Sequence, residues 1–280
     1  MGDKAAAFNP EVFRETAKEK SNARLKMWLE ICAHCGLCAD TCHFYLSNER
    51  DPKMMPAYKA KKVLETIKKK NKFDEDRLDE FYETIYGECT MCRRCTMFCP
   101  FGIDVASIIS MARSLSASQG KVPKELLKAV EGHLESGNQM SITEEEWVDT
   151  LEWMEEELQE ELPGATIPID KKGAEFLYVV NAREPKFYPM DISQAAMVFY
   201  LAGADWTMSR KGWDVTNLAM FMGDIAAATK IAKMVRDAAE ELEVKRVVVT
   251  ECGHALRSLQ FESPIWLGRD HQFEVVHSVS

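Results

Sequence analysis

The sequence lacks an apolar run long enough to cross a membrane and lacks a secretory signal at its start. The longest apolar run, 195–204, has ten residues, whereas a membrane-spanning helix needs roughly 20. The first residues, MGDKAAAFNP, contain no apolar stretch of the signal-peptide type. These absences predict a cytoplasmic protein. If it works at a membrane, partner subunits must hold it there.

The chain also lacks an excess of positive charge. Its 35 basic and 45 acidic residues give a net charge of −10, so there is no general electrostatic reason to expect a nucleic-acid partner. With 14 Gly, 10 Pro and 46% apolar residues it is neither collagen-like nor disordered. A length of 280 residues predicts a soluble globular protein of one large or two medium domains.

Cysteine, in contrast, is abundant: nine residues in a compartment that keeps thiols reduced. Eight of them form two runs with identical spacing, Cys32, Cys35, Cys38 and Cys42 followed by Cys89, Cys92, Cys95 and Cys99. Each cysteine of the second run therefore follows its counterpart in the first run by the same number of residues. Only the spacing repeats, because the intervening residues differ. The pattern indicates metal binding, not disulfides.

Each run has the spacing of the bacterial four-iron motif, and Pro100 follows the second. In two-cluster ferredoxins the fourth cysteine of a run binds the other cluster. This rule predicts two [4Fe–4S] clusters, one held by Cys32, Cys35, Cys38 and Cys99 and the other by Cys89, Cys92, Cys95 and Cys42. A zinc scaffold is the alternative, but closed zinc sites use two separated pairs and leave the third cysteine of each run without a role. His34 and His43 lie beside ligands and are expected to be donors around the clusters.

Apolar residues recur at helical spacing around the runs. The groups are Leu25, Trp28 and Leu29; Ala60, Val63, Leu64 and Ile67; Leu78, Phe81, Tyr82 and Ile85; and Val105, Ile108, Ile109, Ala112 and Leu115. Asp104 is a plausible N-cap for the last group. Residues 1–120 are therefore predicted to be a helical ferredoxin domain that surrounds both clusters.

A connector, 121–172, contains an acidic amphipathic segment. Between Thr143 and Leu162 there are ten acidic residues and no basic one. An apolar stripe of Trp147, Leu151, Met154, Leu158 and Leu162 runs along it. Either this stripe packs on its own domain or it docks a basic partner.

Residues 173–280 change to short apolar runs that alternate with helical stretches. Strands are predicted at 176–180, 246–250 and 273–276, with helices at 193–202 and 224–242. Such alternation predicts an α/β domain with a mainly parallel sheet, which binds ligands at the carboxyl ends of its strands. Cys252 and His277 follow two of these ends. No Gly-x-Gly-x-x-Gly follows a predicted strand, so nothing indicates nicotinamide or flavin binding.

The segment Thr250-Glu251-Cys252-Gly253-His254-Ala255, together with the two cysteine runs, resembles the iron–sulfur subunits of the heterodisulfide-reductase family, most closely those of the DsrK type. The segments 29–38, 42–46 and 99–104 also carry the resemblance. It implies an oxidoreductase subunit that relays electrons in dissimilatory sulfur metabolism to a disulfide or protein trisulfide. It further implies catalytic roles for Cys252 and His254, with Cys252 also a metal ligand. The implied partners are a membrane cytochrome b-type subunit, other complex subunits and a small DsrC-like protein, with attachment at the inner face of the cytoplasmic membrane.

The chain departs from the family pattern at three places. Phe221-Met222-Gly223-Asp224 stands where a first Cys-Cys-Gly is expected, Ala255 replaces the second cysteine of a Cys-x-x-Cys, and the sequence stops at Ser280. Either the chain is truncated or its catalytic centre is completed elsewhere; the ending just after a strand favours truncation, with an α/β domain that is incomplete at its C-terminal end. A third, catalytic four-iron cluster near Cys252 is implied if the chain continues. The alternative function is a pure iron–sulfur relay subunit of a flavin dehydrogenase of the succinate or glycerol-3-phosphate type, which needs no Cys252.

Overall fold

The computed structural model describes residues 8–68, 75–250 and 252–280. The side chains of Leu29, Ile67, Lys68 and Glu75 also lie outside the described set, as does Glu251 of the Thr250–Ala255 segment. By its internal contacts the chain divides into one unit of Met1–Leu126 with Phe221–Asp224 and a second of Leu127–Met220 with Ile225–Ser280.

Helices account for nearly all regular structure of the first unit. Their bounds are α1 Pro10–Lys20, α2 Ala23–Ile31, α3 Leu37–Asp40, α4 His43–Ser47, α5 Pro56–Lys68, α6 Glu75–Tyr82, α7 Arg94–Met97 and α8 Val105–Ala117. A 3-10 turn covers Pro52–Met54, and a π-helical turn, Glu83–Gly87, continues α6.

The core of the first unit forms where α8 packs against α1 and α5. Val63 and Leu64 of α5, together with Ile108 and Ile109 of α8, are buried in one apolar cluster, as their helical spacing predicts. Asp104 is the N-cap of α8 and accepts a hydrogen bond of 3.1 Å from the Ser107 amide. The predicted helices are thus present, and the cap fixes where α8 begins.

The remaining helices are α9 Lys124–Ser136, α10 Glu144–Glu161, α11 Arg183–Phe187, α12 Met190–Leu201, α13 Leu218–Met222, α14 Ile225–Glu241, α15 Gly253–Arg257 and α16 Ser263–Leu267. A second π-helical turn, Ser258–Glu262, joins the last two. No helix within the described ranges is both long and apolar enough to cross a membrane.

The acidic segment forms α10. Thr143 and Glu146 form a capping box at its start, and the stripe from Trp147 to Leu158 is buried in a core of the second unit. Trp147 stacks on Trp213 with ring centroids 4.2 Å apart. The apolar stripe therefore packs on its own unit, and the charged face is the one that remains outward.

Four parallel strands, β1 Phe176–Val179, β2 Trp206–Thr207, β3 Arg246–Val249 and β4 Glu274–His277, form the sheet in the order β2-β1-β3-β4. Phe176 is opposite Arg246, and Arg246 is opposite Glu274. β2 was not predicted, because an edge strand of two residues has too little apolar periodicity. His277 is the last residue of β4 and does not follow it. The coarse fold class is confirmed: a mostly helical chain with a small parallel sheet.

The strand order places a switch point between β1 and β3. The chain passes from β1 to one edge of the sheet and returns to place β3 on the other side of β1. In open parallel sheets, ligands bind outside the carboxyl ends of the two strands that flank such a point. In this sheet those ends are followed by Val180 and by Thr250.

Candidate metal centre and sheet edge

The two cysteine runs repeat each other in backbone conformation as well as in spacing. His34 has φ 53° and its counterpart Met91 has φ 54°, while Gly36 has φ 85° and its counterpart Arg93 has φ 64°. Left-handed backbone at residues other than glycine is uncommon and costs about 1–3 kcal/mol. Its recurrence at equivalent positions shows that both loops adopt one conformation, which turns the backbone between successive cysteines.

A short helix follows at the same point of each loop. Gly36 and Arg93 are the N-caps of α3 and α7, which carry Cys38 and Cys95. The Cys42 amide donates to Ala39 O over 3.0 Å, and the Cys99 amide donates to Thr96 O over 3.3 Å. These matched bonds bring the fourth cysteine of each run back beside its own helix.

The eight cysteines of the two runs line two cavities. The first, of about 290 Å³, is lined by Cys32, Cys35, Cys38 and Cys99 and also by Cys95. The second, of about 30 Å³, is lined by Cys42, Cys89, Cys92 and Cys95. Each cavity therefore combines three cysteines of one run with the fourth cysteine of the other. In the described parts of the chain, no three His, Cys, Asp or Glu side chains are grouped to hold a single metal ion.

The thiols of both runs influence each other. Burial raises the pKa of Cys95 to about 12, and Cys89, Cys92, Cys38 and Cys42 add to the rise. Burial likewise raises the pKa of Cys38, with smaller contributions from Cys32 and Cys35. Since the thiolate is the form that binds metal, loading of these sites releases protons.

Backbone amides reach a sulfur in each set of cysteines. Met91 N lies 3.4 Å from Cys89 Sγ, and Ile103 N lies 3.4 Å from Cys99 Sγ. Hydrogen bonds of this kind to ligand sulfurs help to set the potential of an iron–sulfur cluster. Both cavities therefore have donors suited to a thiolate-bound cluster.

Two buried cations lie beside Cys89. Lys59, 2% exposed, donates to Glu88 O, and its ammonium lies 5.0 Å from the centre of the Phe44 ring. Arg113, 3% exposed, donates to Cys89 O over 2.5 Å. Within the described chain the hydrogen-bond partners of both cations are carbonyl oxygens, and neither is ion-paired with a carboxylate.

A buried cation without a counter-ion is costly. A [4Fe–4S] cluster with four thiolate ligands is a net anion, because its iron and sulfide charges sum to less than the four thiolate charges. The two uncompensated cations therefore fit an anionic cluster in the cavity that Cys89 lines.

Arg93, which lines the same cavity, is held by Asp104. Arg93 Nη2 lies 2.5 Å from Asp104 Oδ2, and the Thr96 hydroxyl donates to Asp104 Oδ1 over 3.0 Å. Burial acts to raise the pKa of Asp104, but hydrogen bonds from Ser107 and Thr96 and the charge of Arg93 outweigh it and lower that pKa. One carboxylate thus caps α8 and also ties down the left-handed Arg93.

Residues 221–224 lie against the same helix of the first unit. Arg113 Nη1 donates to Phe221 O over 2.7 Å, Tyr86 Oη to Met222 O over 2.6 Å, and Ser114 Oγ to Gly223 O over 2.8 Å. Arg113 also donates twice to Ile85 O, at 3.0 and 2.8 Å, in the π-helical turn before Cys89. Three successive carbonyls thus hold Arg113 and its neighbours in place.

At the sheet edge of the second unit, buried polar side chains follow β1 and β3. Thr250 Oγ1 donates to Glu184 Oε1 over 2.7 Å, and the same carboxylate oxygen accepts from Asn181 N over 2.9 Å. The Gln139 side-chain amide donates to Asn181 Oδ1 over 2.8 Å, and the Gln139 backbone amide donates to the buried carboxylate of Asp214. This network occupies the switch point between the two strands.

Cys252 lies at that edge and is partly buried against the apolar core around β3. It is the N-cap residue of α15, with φ −87° and ψ 95°, and its side chain makes no capping hydrogen bond. His254 is exposed in the first turn of that helix. α15 begins at Gly253, directly after Cys252.

Sequence reasoning missed Lys59, Arg113, Glu184 and Asp214. Lys59 precedes Val63 by four residues, and Arg113 follows Ile109 by four, so both lie on the apolar faces of α5 and α8. A basic residue on an otherwise apolar stripe was the signal that could have identified them. Glu184 and Asp214 had no such periodic context.

Comparison with known proteins agrees with this geometry. Residues 28–103 match the family described as 4Fe-4S dicluster domain. The Hdr-like menaquinol oxidoreductase iron-sulfur subunit 2 of Archaeoglobus fulgidus is 28% identical over 278 residues, covering 88% of this chain and 48% of that protein. The Hdr-like menaquinol oxidoreductase iron-sulfur subunit of Archaeoglobus profundus is 30% identical over 274 residues, covering 88% of this chain and 47% of that protein. The chain is thus similar to Hdr-like iron–sulfur subunits.

The predicted resemblance and the predicted pair of [4Fe–4S] clusters are thus confirmed. The chain spans about half the length of the curated relatives that it matches, 48% and 47%. No solved structure matches it significantly.

Proposed function

We propose that the chain is the iron–sulfur subunit of a membrane-associated oxidoreductase that couples quinol oxidation to thiol–disulfide chemistry. The observation that supports this most is the division of eight cysteines between two cavities, each lined by cysteines of both runs. When bound, two [4Fe–4S] clusters supply one-electron transfer. The names of the relatives, which specify a menaquinol oxidoreductase, support the quinol half of the proposal.

The proposed ligands are Cys32, Cys35, Cys38 and Cys99 for the first cluster and Cys42, Cys89, Cys92 and Cys95 for the second. Cys95 lines both cavities. We assign it to the second because the first three cysteines of a run bind the same cluster in the bacterial four-iron motif. Each cluster would then join the two halves of the helical region.

The proposed reactive thiol is Cys252 at the switch point of the sheet. Its thiolate would attack one sulfur of a disulfide on a small protein, form a mixed disulfide and release the other sulfur as a thiolate. Two electrons and two protons then convert the mixed disulfide into two thiols, and oxidation of one menaquinol to menaquinone supplies both. His254 would add positive charge near the attacking and leaving sulfurs when protonated.

The proposed assembly places this subunit at the inner face of the cytoplasmic membrane. A cytochrome b-type membrane subunit would oxidise the quinol, and a small DsrC-like protein would present the disulfide or trisulfide. Both partners are proposed from the resemblance, together with the absence of a membrane-crossing helix in the described residues.

Purification of the full chain from its native membranes tests the proposal. We expect a haem-bearing membrane subunit and a small cysteine protein to copurify, and about eight irons per chain. EPR of the reduced complex should show two interacting four-iron signals. Copurification of a flavoprotein without haem would favour a relay subunit of a flavin dehydrogenase instead, and the lack of a second four-iron signal would overturn the relay.

A further inference from the structure

The charges around the two cysteine sets differ. The side chains that line the first cavity include two carboxylates, Glu30 and Glu65, and one ammonium, Lys61. Lys61 lies 3.9 Å from Glu65 in an i,i+4 pair. Those lining the second cavity include three cations, Lys59, Arg93 and Arg94, and one carboxylate, Glu88. Arg93 is ion-paired with Asp104, so the comparison depends on Lys59. Arg113 adds a fourth cation through its bond to Cys89 O.

Burial makes the difference larger. Lys59 and Arg113 are almost fully buried, so water screens their charges little, whereas Lys61 and Glu30 at the first cavity are exposed. Coulomb interactions are several times stronger in a protein interior than in water. The positive field at Cys89 therefore has no buried counterpart among the described residues lining the first cavity.

Both cations lie directly beside the proposed ligand Cys89. Arg113 Nη2 donates to the Cys89 carbonyl oxygen over 2.5 Å, and Lys59 donates to the carbonyl oxygen of the preceding residue, Glu88. Both cations thus stabilise negative charge at this sulfur. Amide donors reach a sulfur in both sets, so hydrogen bonding does not cancel the asymmetry.

Reduction adds one negative charge to a cluster, and a nearby buried cation stabilises the reduced form and raises its potential. We infer that Lys59 and Arg113 make the cluster bound by Cys42, Cys89, Cys92 and Cys95 the higher-potential one of the two, so that electrons pass downhill to it from the cluster bound by Cys32, Cys35, Cys38 and Cys99. This inference rests on the ligand sets of the proposed function.

The contacts of residues 221–224 keep Arg113 in this position. Phe221 O accepts a hydrogen bond from Arg113 Nη1, and Gly223 O accepts one from the hydroxyl of the neighbouring Ser114. Arg113 also lies over the Tyr86 ring, 4.9 Å from its centre. Arg113 is therefore a positioning residue that acts on the cluster through Cys89 and is itself fixed by a segment distant in sequence.

An EPR-monitored redox titration of the full, anaerobically purified chain tests the inference. Cys35 lines only the first cavity and Cys92 only the second. Cys35→Ser and Cys92→Ser therefore identify which EPR signal belongs to which cluster. In the wild type, the signal altered by Cys92→Ser should appear at the higher potential. Lys59→Met and Arg113→Gln should each lower that midpoint potential. The equilibrium constant for reduction of this cluster should fall at least tenfold, which is about 59 mV for one electron. The midpoint potential of the other cluster should change less.

Matched variants separate charge from structure. Lys59→Arg and Arg113→Lys retain the charge and should keep the wild-type midpoint. Lys62→Met removes a cation on α5, the helix of Lys59, that is already paired with Glu80 at 2.7 Å. This variant should change the midpoint potential of neither cluster.

Three results would overturn the inference. The first is a higher potential for the signal altered by Cys35→Ser, or equal potentials for both. The second is unchanged midpoints in Lys59→Met and Arg113→Gln. If these variants do not assemble clusters, the wild-type order of potentials alone decides. The third is fewer than two clusters in the wild type, which overturns the proposed function as well, whereas the first two overturn this inference alone.

Discussion

Thr250 and Glu184 are joined by a hydrogen bond of 2.7 Å that links the segments following β3 and β1, two neighbouring parallel strands. Both side chains are buried, so the bond fixes a polar contact beneath the surface at the carboxyl edge of the sheet. Cys252 follows Thr250 by two residues at this edge. A thiol at the switch point of a parallel sheet is placed where such folds bind their ligands.

Replacement of Cys252 by serine should separate chemistry from electron transfer. Serine keeps the size of the side chain but not a reactive sulfur, so we expect about eight irons per chain and no turnover of the disulfide or trisulfide partner by the complete complex. Iron analysis and a coupled activity assay measure the two properties. Full activity in the serine variant would mean that Cys252 only packs against the core around β3.

Loss of Cys42 tests the crossed ligands. Cys42→Ala should damage the cluster bound mainly by Cys89, Cys92 and Cys95 and leave the other intact, because Cys42 lines their cavity and not that of its sequence neighbours. EPR of the reduced variant distinguishes the clusters. Cys252→Ala is the control and should keep both signals. Loss of the signal belonging to the Cys32 cluster instead would contradict the crossing.

Iron removal should unfold the cluster-bearing helices. The short helices α3 and α7 have four residues each, too few to be stable alone, and each carries a proposed cluster ligand, Cys38 in α3 and Cys95 in α7. Hydrogen exchange before and after chelation should show lost protection in both helices, with α14 of the second unit as internal reference. Unchanged protection in α3 and α7 would show that the clusters do not stabilise this fold.

Gly223 has φ +93°, and a Cβ there would lie 2.5 Å from Arg113 C and 2.6 Å from Ser114 N. Gly223→Ala should therefore destabilise the holoprotein by more than the roughly 1–3 kcal/mol of backbone strain, because backbone atoms must also move. Gly203→Ala is the matched control, since Gly203 has φ +64° with nothing within 4 Å, and it isolates the strain. Thermal unfolding measures both, and equal losses would exclude the steric contribution.

His133 makes the second unit sensitive to acid. It is 2% exposed, its Nδ1 lies 3.7 Å from Asp214 Oδ2, and burial lowers its pKa from 6.5 despite the opposing effect of Asp214. Below pH 6.5 the unfolded chain binds a proton that the folded chain resists, so stability decreases as the pH falls from there toward the lowered pKa. Unfolding measured between about pH 7.5 and 5.5, one unit on either side of 6.5, should show this slope.

His133→Phe should flatten that slope, since the buried titrating group is gone. His254→Gln replaces an exposed histidine and serves as control, with the wild-type slope expected. An unchanged slope in His133→Phe would assign the acid sensitivity to other groups.

The sequence was sufficient to predict the features that repeat. Constant cysteine spacing predicted both clusters, and apolar periodicity predicted α5, α8 and β3 to within one or a few residues. It could not predict the left-handed Met91 and Arg93, because neither residue type favours that backbone and only ligand geometry requires it. It also could not predict that Phe221–Asp224 contacts Arg113, since a contact between backbone carbonyls and a distant side chain leaves no pattern in either segment.

Cys35 and Cys92 occupy the same position of the repeated loop, and both are exposed, whereas the other six cysteines of the runs are partly shielded. Oxidation of sulfur follows exposure and thiolate character, so oxygen and peroxide should reach both clusters through equivalent proposed ligands. Because the same loop conformation occurs twice, the protein has two equivalent positions that are sensitive to oxidation. In a cell exposed to air, damage should begin at these two sulfurs together, and a partner that covers one loop would protect only half of the electron path.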